Sequence, residues 1–355
     1  MEMKILIMAG GTGGHVFPAV AIAKRLESDG HEILWLGTRG RMEERLVPKA
    51  GFPIEYIKVK GIRRNGFKAK FFAPFMIIRA VVQALSVIRR FKPDVALGMG
   101  GYASGPGGVA AKISGVPVVL HEQNAAAGLT NRLLTKIADK ILLGFPGAFN
   151  GPKVVNVGNP VRSEITALHD RNRIFPSGPL RVLIIGGSLG AQALNCEIPK
   201  AMALFDKDEI AITHQCGADR SAEVSQAYAN CRADYEVCDF IDDMAKAYTS
   251  HDLIICRAGA STVAECACAG IPAIFVPLPS AVDDHQTKNA AFLVSHGAAF
   301  LCPQAQLNAK NLKALLDPLI KDRSKLEAMS AKSKACAVTD ADVKAASIIE
   351  NIKDN

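Results

Sequence analysis

The first 195 residues contain no cysteine; all nine cysteines lie from Cys196 onward. None forms a CxxC pair, the nearest approach being Cys266-Ala267-Cys268. An odd number confined to one half of a long chain excludes a disulfide framework and a zinc site, and it fits a reducing compartment in which most of these thiols are small buried apolar groups. No stretch reaches about 18 uninterrupted apolar residues, so no spanning helix is expected. The start, Met1-Glu2-Met3-Lys4-Ile5-Leu6-Ile7-Met8, lacks a long apolar core and a cleavage site and reads as a first strand rather than a signal peptide. No GxxxxGK[ST] loop is present, and the dinucleotide fingerprint fails because its third glycine would fall at Val16. The second strand ends Trp35-Leu36-Gly37-Thr38, with no acid for the ribose of a nicotinamide dinucleotide. Hydride transfer and ATP hydrolysis are therefore disfavoured.

What is present is the composition of an ordinary globular protein, with 355 residues, 49% of them hydrophobic and 21% charged. That length suits two α/β units, each burying its own core. Short apolar runs at 4–9, 32–37, 94–98 and 116–120 read as strands of the first half; 180–185, 210–214, 235–238, 252–256 and 272–276 do so in the second. Helical patterns at 16–29, 75–91, 191–204 and 261–269 alternate with them. The run Lys4 to Gly14 returns in form as Leu180 to Gly190: strand, Gly-Gly turn, hydroxyl residue, helix. The expected fold is two Rossmann-like domains facing across a cleft, 1–162 and 163–340, with a C-terminal helix at about 341–355 packing back on the first. The join falls near Gly158-Asn159-Pro160-Val161-Arg162.

A glycine turn feeding a helix N-terminus suits phosphate. A third such loop, Arg257-Ala258-Gly259-Ala260-Ser261-Thr262-Val263-Ala264-Glu265, follows the strand 252–256. Its first-turn amides suit a diphosphate, and Glu265, one turn in, suits ribose hydroxyls. A plain helix start with a capping residue and a solvated glutamate fits this segment equally well.

Taken together, the motifs resemble those of a family of GT-B-fold glycosyltransferases of bacterial cell-wall synthesis. They are Gly10-Gly11-Thr12-Gly13-Gly14-His15 with Pro18, Gly100-Gly101-Tyr102-Ala103-Ser104-Gly105-Pro106, His121-Glu122-Gln123-Asn124 and Gly158-Asn159-Pro160-Val161-Arg162. Gly186-Gly187-Ser188-Leu189-Gly190-Ala191, the 257–265 loop, and Asp284-His285-Gln286 with Asn289 complete the set. They follow the family's order over nearly the whole chain.

The resemblance implies inverting transfer of GlcNAc from UDP-GlcNAc to a polyprenyl-diphosphate-linked muramyl-pentapeptide. It gives the donor to the C-terminal domain: Glu265 for the ribose, Ser188 and the turn of Ala260, Ser261, Thr262, Val263 and Ala264 for the diphosphate, the backbone at Ile241 for the uracil, and Gln286 for sugar hydroxyls. A one-residue insertion precedes Asp284. Asn124 and Arg162 reach the donor from the other domain. Thr12, Gly13 and Gly14 go with this set and lie near the acceptor diphosphate, beside Gly100, Gly101, Tyr102 and Ser104 as acceptor contacts. UDP-GlcNAc is a substrate, and no resident cofactor or metal is implied, Mg²⁺ entering at most as a stimulant. The DxD triplet Asp340-Ala341-Asp342 reads as a solvated turn.

For the base that takes the acceptor proton, His15 stands first, a neutral imidazole at a helix N-terminus, with Glu122 the rival. The alternative for His15 is a ring that only packs against its loop.

Between Glu55 and Asp94 stand ten basic residues and no acid: Lys58, Lys60, Arg63, Arg64, Lys68, Lys70, Arg79, Arg89, Arg90 and Lys92. Phe71, Phe72 and Phe75 are interleaved. Pro74 and Arg79 speak against a spanning helix, so an interfacial patch for an anionic membrane is expected, alongside a helix that packs on the sheet with a solvated basic rim. No stacking motif or nucleic-acid module accompanies the charge, and nucleic acid is not expected as a partner. The resemblance implies peripheral attachment to the cytoplasmic face of the inner membrane. Two rivals share parts of the pattern: a UDP-GlcNAc 2-epimerase, which would need no basic–apolar patch, and a non-catalytic UDP-sugar-binding subunit.

Overall fold

The computed structural model describes residues 2–59, 67–187 and 189–352, with side chains throughout except at 67–73. The chain divides into two compact units, residues 1–162 with 340–355, and residues 163–339.

Unit 1 is a seven-stranded, wholly parallel sheet built from β1 (Lys4–Ala9), β2 (Glu32–Gly37), β3 (Ile54–Tyr56), β4 (Val95–Gly100), β5 (Val118–Glu122), β6 (Lys140–Leu143) and β7 (Val154–Asn156). Its strand order is β3-β2-β1-β4-β5-β6-β7. The order reverses between β1 and β4, and a doubly wound sheet opens its binding crevice at the carboxyl end of such a reversal. β1 shows why the sheet forms: Ile5, Ile7 and Ala9 enter one apolar layer and Leu6 and Met8 the other, all of them fully buried. A strand covered on both faces has to be apolar throughout, and after the exposed Lys4 this one is.

The helices Gly13–Ser28 and Ala341–Glu350 cover the first face, where Val16, Ala19 and Ile22 meet Ala345 and Ile349. The helices Phe67–Phe91 and Ser104–Ile113 cover the second. The long helix, expected at 75–91, begins at Phe67 and runs through Pro74, which removes one amide from the ladder without ending it.

Unit 2 repeats the plan with six parallel strands: β8 (Leu180–Ile185), β9 (Asp206–Gln215), β10 (Arg232–Cys238), β11 (Leu253–Cys256), β12 (Ala273–Phe275) and β13 (Ala299–Leu301). The order β10-β9-β8-β11-β12-β13 reverses between β8 and β11. Both units are therefore Rossmann-like, and each glycine loop of the sequence motifs follows a strand at a reversal.

Candidate functional site

In unit 1, three segments gather at the carboxyl edge of the sheet. The loop after β1 turns at Gly11 (φ 92°), and Thr12 opens the helix Gly13–Ser28 without a side-chain cap. The loop after β4 turns at Gly100 and Gly101 (φ 97° and 88°) and presses on the first: a Cβ at Gly101 would stand 2.3 Å from the carbonyl oxygen of Gly10, and one at Gly100 would stand 3.0 Å from Nε2 of His15. These glycines exist because two backbones meet there. The third segment, 123–128, follows β5.

His15 is half-buried, with Nδ1 3.2 Å from the carbonyl oxygen of Gly10. A carbonyl only accepts, so Nδ1 carries the proton, which makes Nε2 the acceptor nitrogen whenever the ring is neutral. An imidazole oriented through one nitrogen with the other basic has the arrangement a general base needs.

Glu122 is placed differently from the expectation of a carboxylate on a loop near the ligand. It is the last residue of β5, 2% exposed, and its oxygens accept from Asn124 N (3.1 Å), Asn124 Nδ2 (3.2 Å), Gly128 N (3.0 Å) and Asn131 Nδ2 (2.9 Å). Such a group holds the 124–128 turn, and taking up a proton would break one of those contacts. Ser104 also departs from its expected role. It is fully buried, its hydroxyl 2.6 Å from Met8 O and 2.7 Å from Gly100 O, so it fastens the loop and offers nothing to an acceptor. Tyr102 is exposed, with the Arg41 guanidinium 5.3 Å from its ring centre. Arg162 lies with its guanidinium 5.8 Å from the ring of Phe17.

The first glycine loop of each unit is held by a buried polar side chain that sequence patterning does not single out. In unit 1 it is Glu43, fully buried, accepting from Gly11 N (2.9 Å), Thr38 N (3.1 Å) and Thr38 Oγ1 (2.7 Å). In unit 2 it is Gln215, which accepts from Gly187 N (3.0 Å) and donates to Gly187 O (3.1 Å) and Asp239 O (2.7 Å). Gly11 and Gly187 occupy matching positions of the internal repeat, both with positive φ. With the Gly11 amide engaged by a carboxylate, fewer donors of the first loop remain for a phosphate.

The third loop of unit 2 leads from β11 into the helix Ala260–Ala269. The first bond of that helix runs from Val263 N to Gly259 O (3.0 Å), so the amides of Ala260, Ser261 and Thr262 precede it and head the helix dipole. The hydroxyl oxygen of Ser261 is buried without a hydrogen-bond partner. Ala264 and Glu265 follow on the same helix, and Glu265 Oε2 accepts from Tyr248 Oη at 2.8 Å.

Bonds to downstream segments brace this loop. Arg257 donates to the carbonyls of Val276 (3.0 Å) and Pro277 (3.2 Å), and Asn289 donates to that of Ala258 (3.2 Å). Gln286 accepts from Leu278 N at 2.9 Å, which leaves its NH₂ as the part able to meet a ligand. At the expected insertion, Asp283 and Asp284 both adopt the left-handed region (φ 55° and 52°). Ile241 is half-buried in the turn after β10. Ser188, Arg63 and Arg64 lie outside the described residues, as do the side chains of Lys68, Lys70, Phe71 and Phe72. The Asp340-Ala341-Asp342 triplet heads the last helix, where Asp340 pairs with Lys344 at 2.9 Å.

On the long helix, Ala80, Ala84, Val87 and Ile88 face the sheet. Phe75 (69% exposed), Ile78 (61%) and Val82 (59%) form an outward apolar stripe with Arg79 among them. Their spacing of three and four residues puts them on one helical face. Among the described residues, no helix is long and apolar enough to cross a membrane.

Residues 5–143 match the glycosyltransferase family 28 N-terminal domain, and residues 181–350 match the C-terminal domain of that family. A UDP-N-acetylglucosamine–N-acetylmuramyl-(pentapeptide) pyrophosphoryl-undecaprenol N-acetylglucosamine transferase of Tolumonas auensis is 53% identical over 345 residues, 96% of this chain and 97% of that relative. A protein of the same name from Aeromonas hydrophila is 52% identical over 342 residues, covering 96% and 94%. The crystal structure of Acinetobacter baumannii MurG superposes with a TM-score of 0.83 at 40% identity over 98% of this chain and 99% of that one.

Proposed function

The chain belongs to glycosyltransferase family 28, and from that premise we propose that it moves GlcNAc from UDP-GlcNAc onto the MurNAc-pentapeptide carried by pyrophosphoryl-undecaprenol, a step of peptidoglycan synthesis. It is a hexosyltransferase. The observation that carries the substrate reading is identity above half to transferases of that name along almost the whole chain. The geometry supplies parts suited to the chemistry.

In the transfer, the acceptor hydroxyl attacks the anomeric carbon, the bond to the diphosphate breaks, and configuration inverts. Charge develops on the departing UDP. The N-terminus of the helix Ala260–Ala269 and the unpartnered Ser261 hydroxyl offer donors for that charge. Glu265 takes the ribose hydroxyls, the Gln286 amide the sugar, and the backbone at Ile241 the uracil, with Ser188 beside the diphosphate. On unit 1, Nε2 of His15 takes the proton of the attacking hydroxyl while Gly10 O holds Nδ1. Tyr102 and the Gly100–Gly101 turn border the acceptor, with Thr12, Gly13 and Gly14 close to its diphosphate. The protein rests on an anionic membrane at the cytoplasmic face through Phe75, Ile78, Val82 and the surrounding basic residues, where the polyprenyl acceptor resides.

An assay with UDP-GlcNAc and a short-chain muramyl-pentapeptide lipid, following both UDP and glycosylated lipid, tests the reading. Acceptor-dependent UDP release with matching product is expected. UDP release with ManNAc and no acceptor requirement would instead indicate epimerase chemistry, and donor binding without turnover a binding subunit.

A further inference from the structure

Tyr248 sits on the helix Met244–Ser250 of unit 2, 1% exposed, with its ring in the core and its hydroxyl 2.8 Å from Oε2 of Glu265. A carboxylate only accepts, so the phenol donates. Burial first, and the Glu265 charge after it, push this phenol well above its ordinary pKa, so it remains protonated at any physiological pH. A phenylalanine would fill the same space without a buried hydroxyl to satisfy, which leaves the bond to Glu265 as the reason for a tyrosine here.

The two helices that carry this pair are also joined at their ends. The Arg173 guanidinium donates to the carbonyls of Tyr248 and His251 at the close of one helix and lies 3.5 Å from that of Ala269 at the close of the other. A cation at two helix C-termini is favoured by both dipoles. The distance from Tyr248 to Glu265 is thus fixed from two sides. A glutamate on a helix surface has three rotatable torsions, and a bond from the buried side restricts them before any ligand arrives.

We propose that Tyr248 is a positioning residue for donor recognition, its hydroxyl aiming the Glu265 carboxylate at the ribose diol of a uridine nucleotide. This rests on Glu265 being the ribose ligand.

The test measures dissociation constants of UDP and of 2′,3′-dideoxy-UDP for the full-length protein, Tyr248→Phe, Glu265→Ala and the double variant, with melting temperatures alongside. Tyr248→Phe should weaken UDP about five- to tenfold, the scale of one charge-assisted hydrogen bond, and leave the dideoxy nucleotide unchanged. In the Glu265→Ala background it should add nothing. If Tyr248→Phe binds UDP like the parent while Glu265→Ala loses only the ribose-dependent part, the positioning role is wrong and the ribose reading stands. Equal losses for both nucleotides on Tyr248→Phe would make Tyr248 a packing residue and overturn the proposal. If Glu265→Ala does not distinguish the two nucleotides, both fall together.

Discussion

At the scale of single residues, the glycines of the sequence and the polar side chains behind them divide the work. Gly100 gives His15 its room: a methyl group there would press on the imidazole in a backbone conformation that disfavours any side chain. With His15 as the base proposed above, Gly100→Ala should lower kcat at least tenfold, on the order of 1.4 kcal/mol for a displaced base, with UDP affinity nearly unchanged. His15→Ala should lower kcat further with the same small effect on donor binding; steady-state kinetics beside nucleotide titration would show either. Turnover at the parent rate in His15→Ala would remove the imidazole from the mechanism. Glu43→Gln places an NH₂ against backbone or hydroxyl donors in a fully buried site, and should cost about 2–3 kcal/mol in denaturant unfolding. No loss would mean that the carboxylate does not hold the first loop. The glycine turns, and the place of His15 beside them, were legible from local spacing. Glu43, Gln215 and Tyr248 were not, because each acts on a loop or side chain brought near only by the folded sheet, and no short motif records such a contact. Ser104 and Glu122 show the converse: motif residues whose polar atoms turn out to be consumed by backbone and side-chain groups around them.

Among whole elements, the central strands were readable because a strand stretch covered on both faces must be continuously apolar, as 5–9 of β1 and 182–185 of β8 are. The strands that escaped notice, β3, β6, β7 and β13, are three or four residues long and lie toward the sheet edges, where few apolar residues are required. The long helix was legible only from 75, since Pro74 mimics a boundary. Its outward stripe is the element most open to experiment. Replacing Phe75, Ile78 and Val82 together by serine removes exposed apolar area without touching the sheet-facing residues. Vesicle sedimentation with anionic lipid should show binding reduced at least tenfold, roughly the loss of a few partly inserted side chains, while turnover of a water-soluble acceptor is kept. Unchanged sedimentation would exclude this face as the membrane contact.

For the molecule as a whole, two buried histidines set an acid limit, one in each unit. Burial holds His121, which faces Gly158 O, and His214, which lies between Tyr228 and Asn195, down to about 4. An unfolded histidine titrates near 6.5. Above that value the ring is neutral in both states and the stabilisation is complete. Between about 6.5 and 4 the unfolded chain takes up a proton that the folded one refuses, so stability falls with pH by about 1.4 kcal/mol per unit for each ring. Unfolding midpoints at pH 7, 6 and 5 should shift accordingly, and a His214→Asn variant should have a shallower slope in unit 2. A slope unaltered by that change would assign the acid sensitivity elsewhere.

The helix Ala341–Glu350 completes unit 1 after the chain has passed through all of unit 2: Ala345, Ala346 and Ile349 are part of the first unit's core, and Glu350 accepts from His31 at 3.0 Å. During synthesis, then, the order of manufacture and the order of completion are opposed. The domain begun first waits, with the strip around Val16, Ala19 and Ile22 uncovered, until the last turns of polypeptide emerge, whereas the domain begun second is contiguous and can finish earlier. A chain truncated at Thr339 and released would carry one finished domain and one that still needs shelter from aggregation.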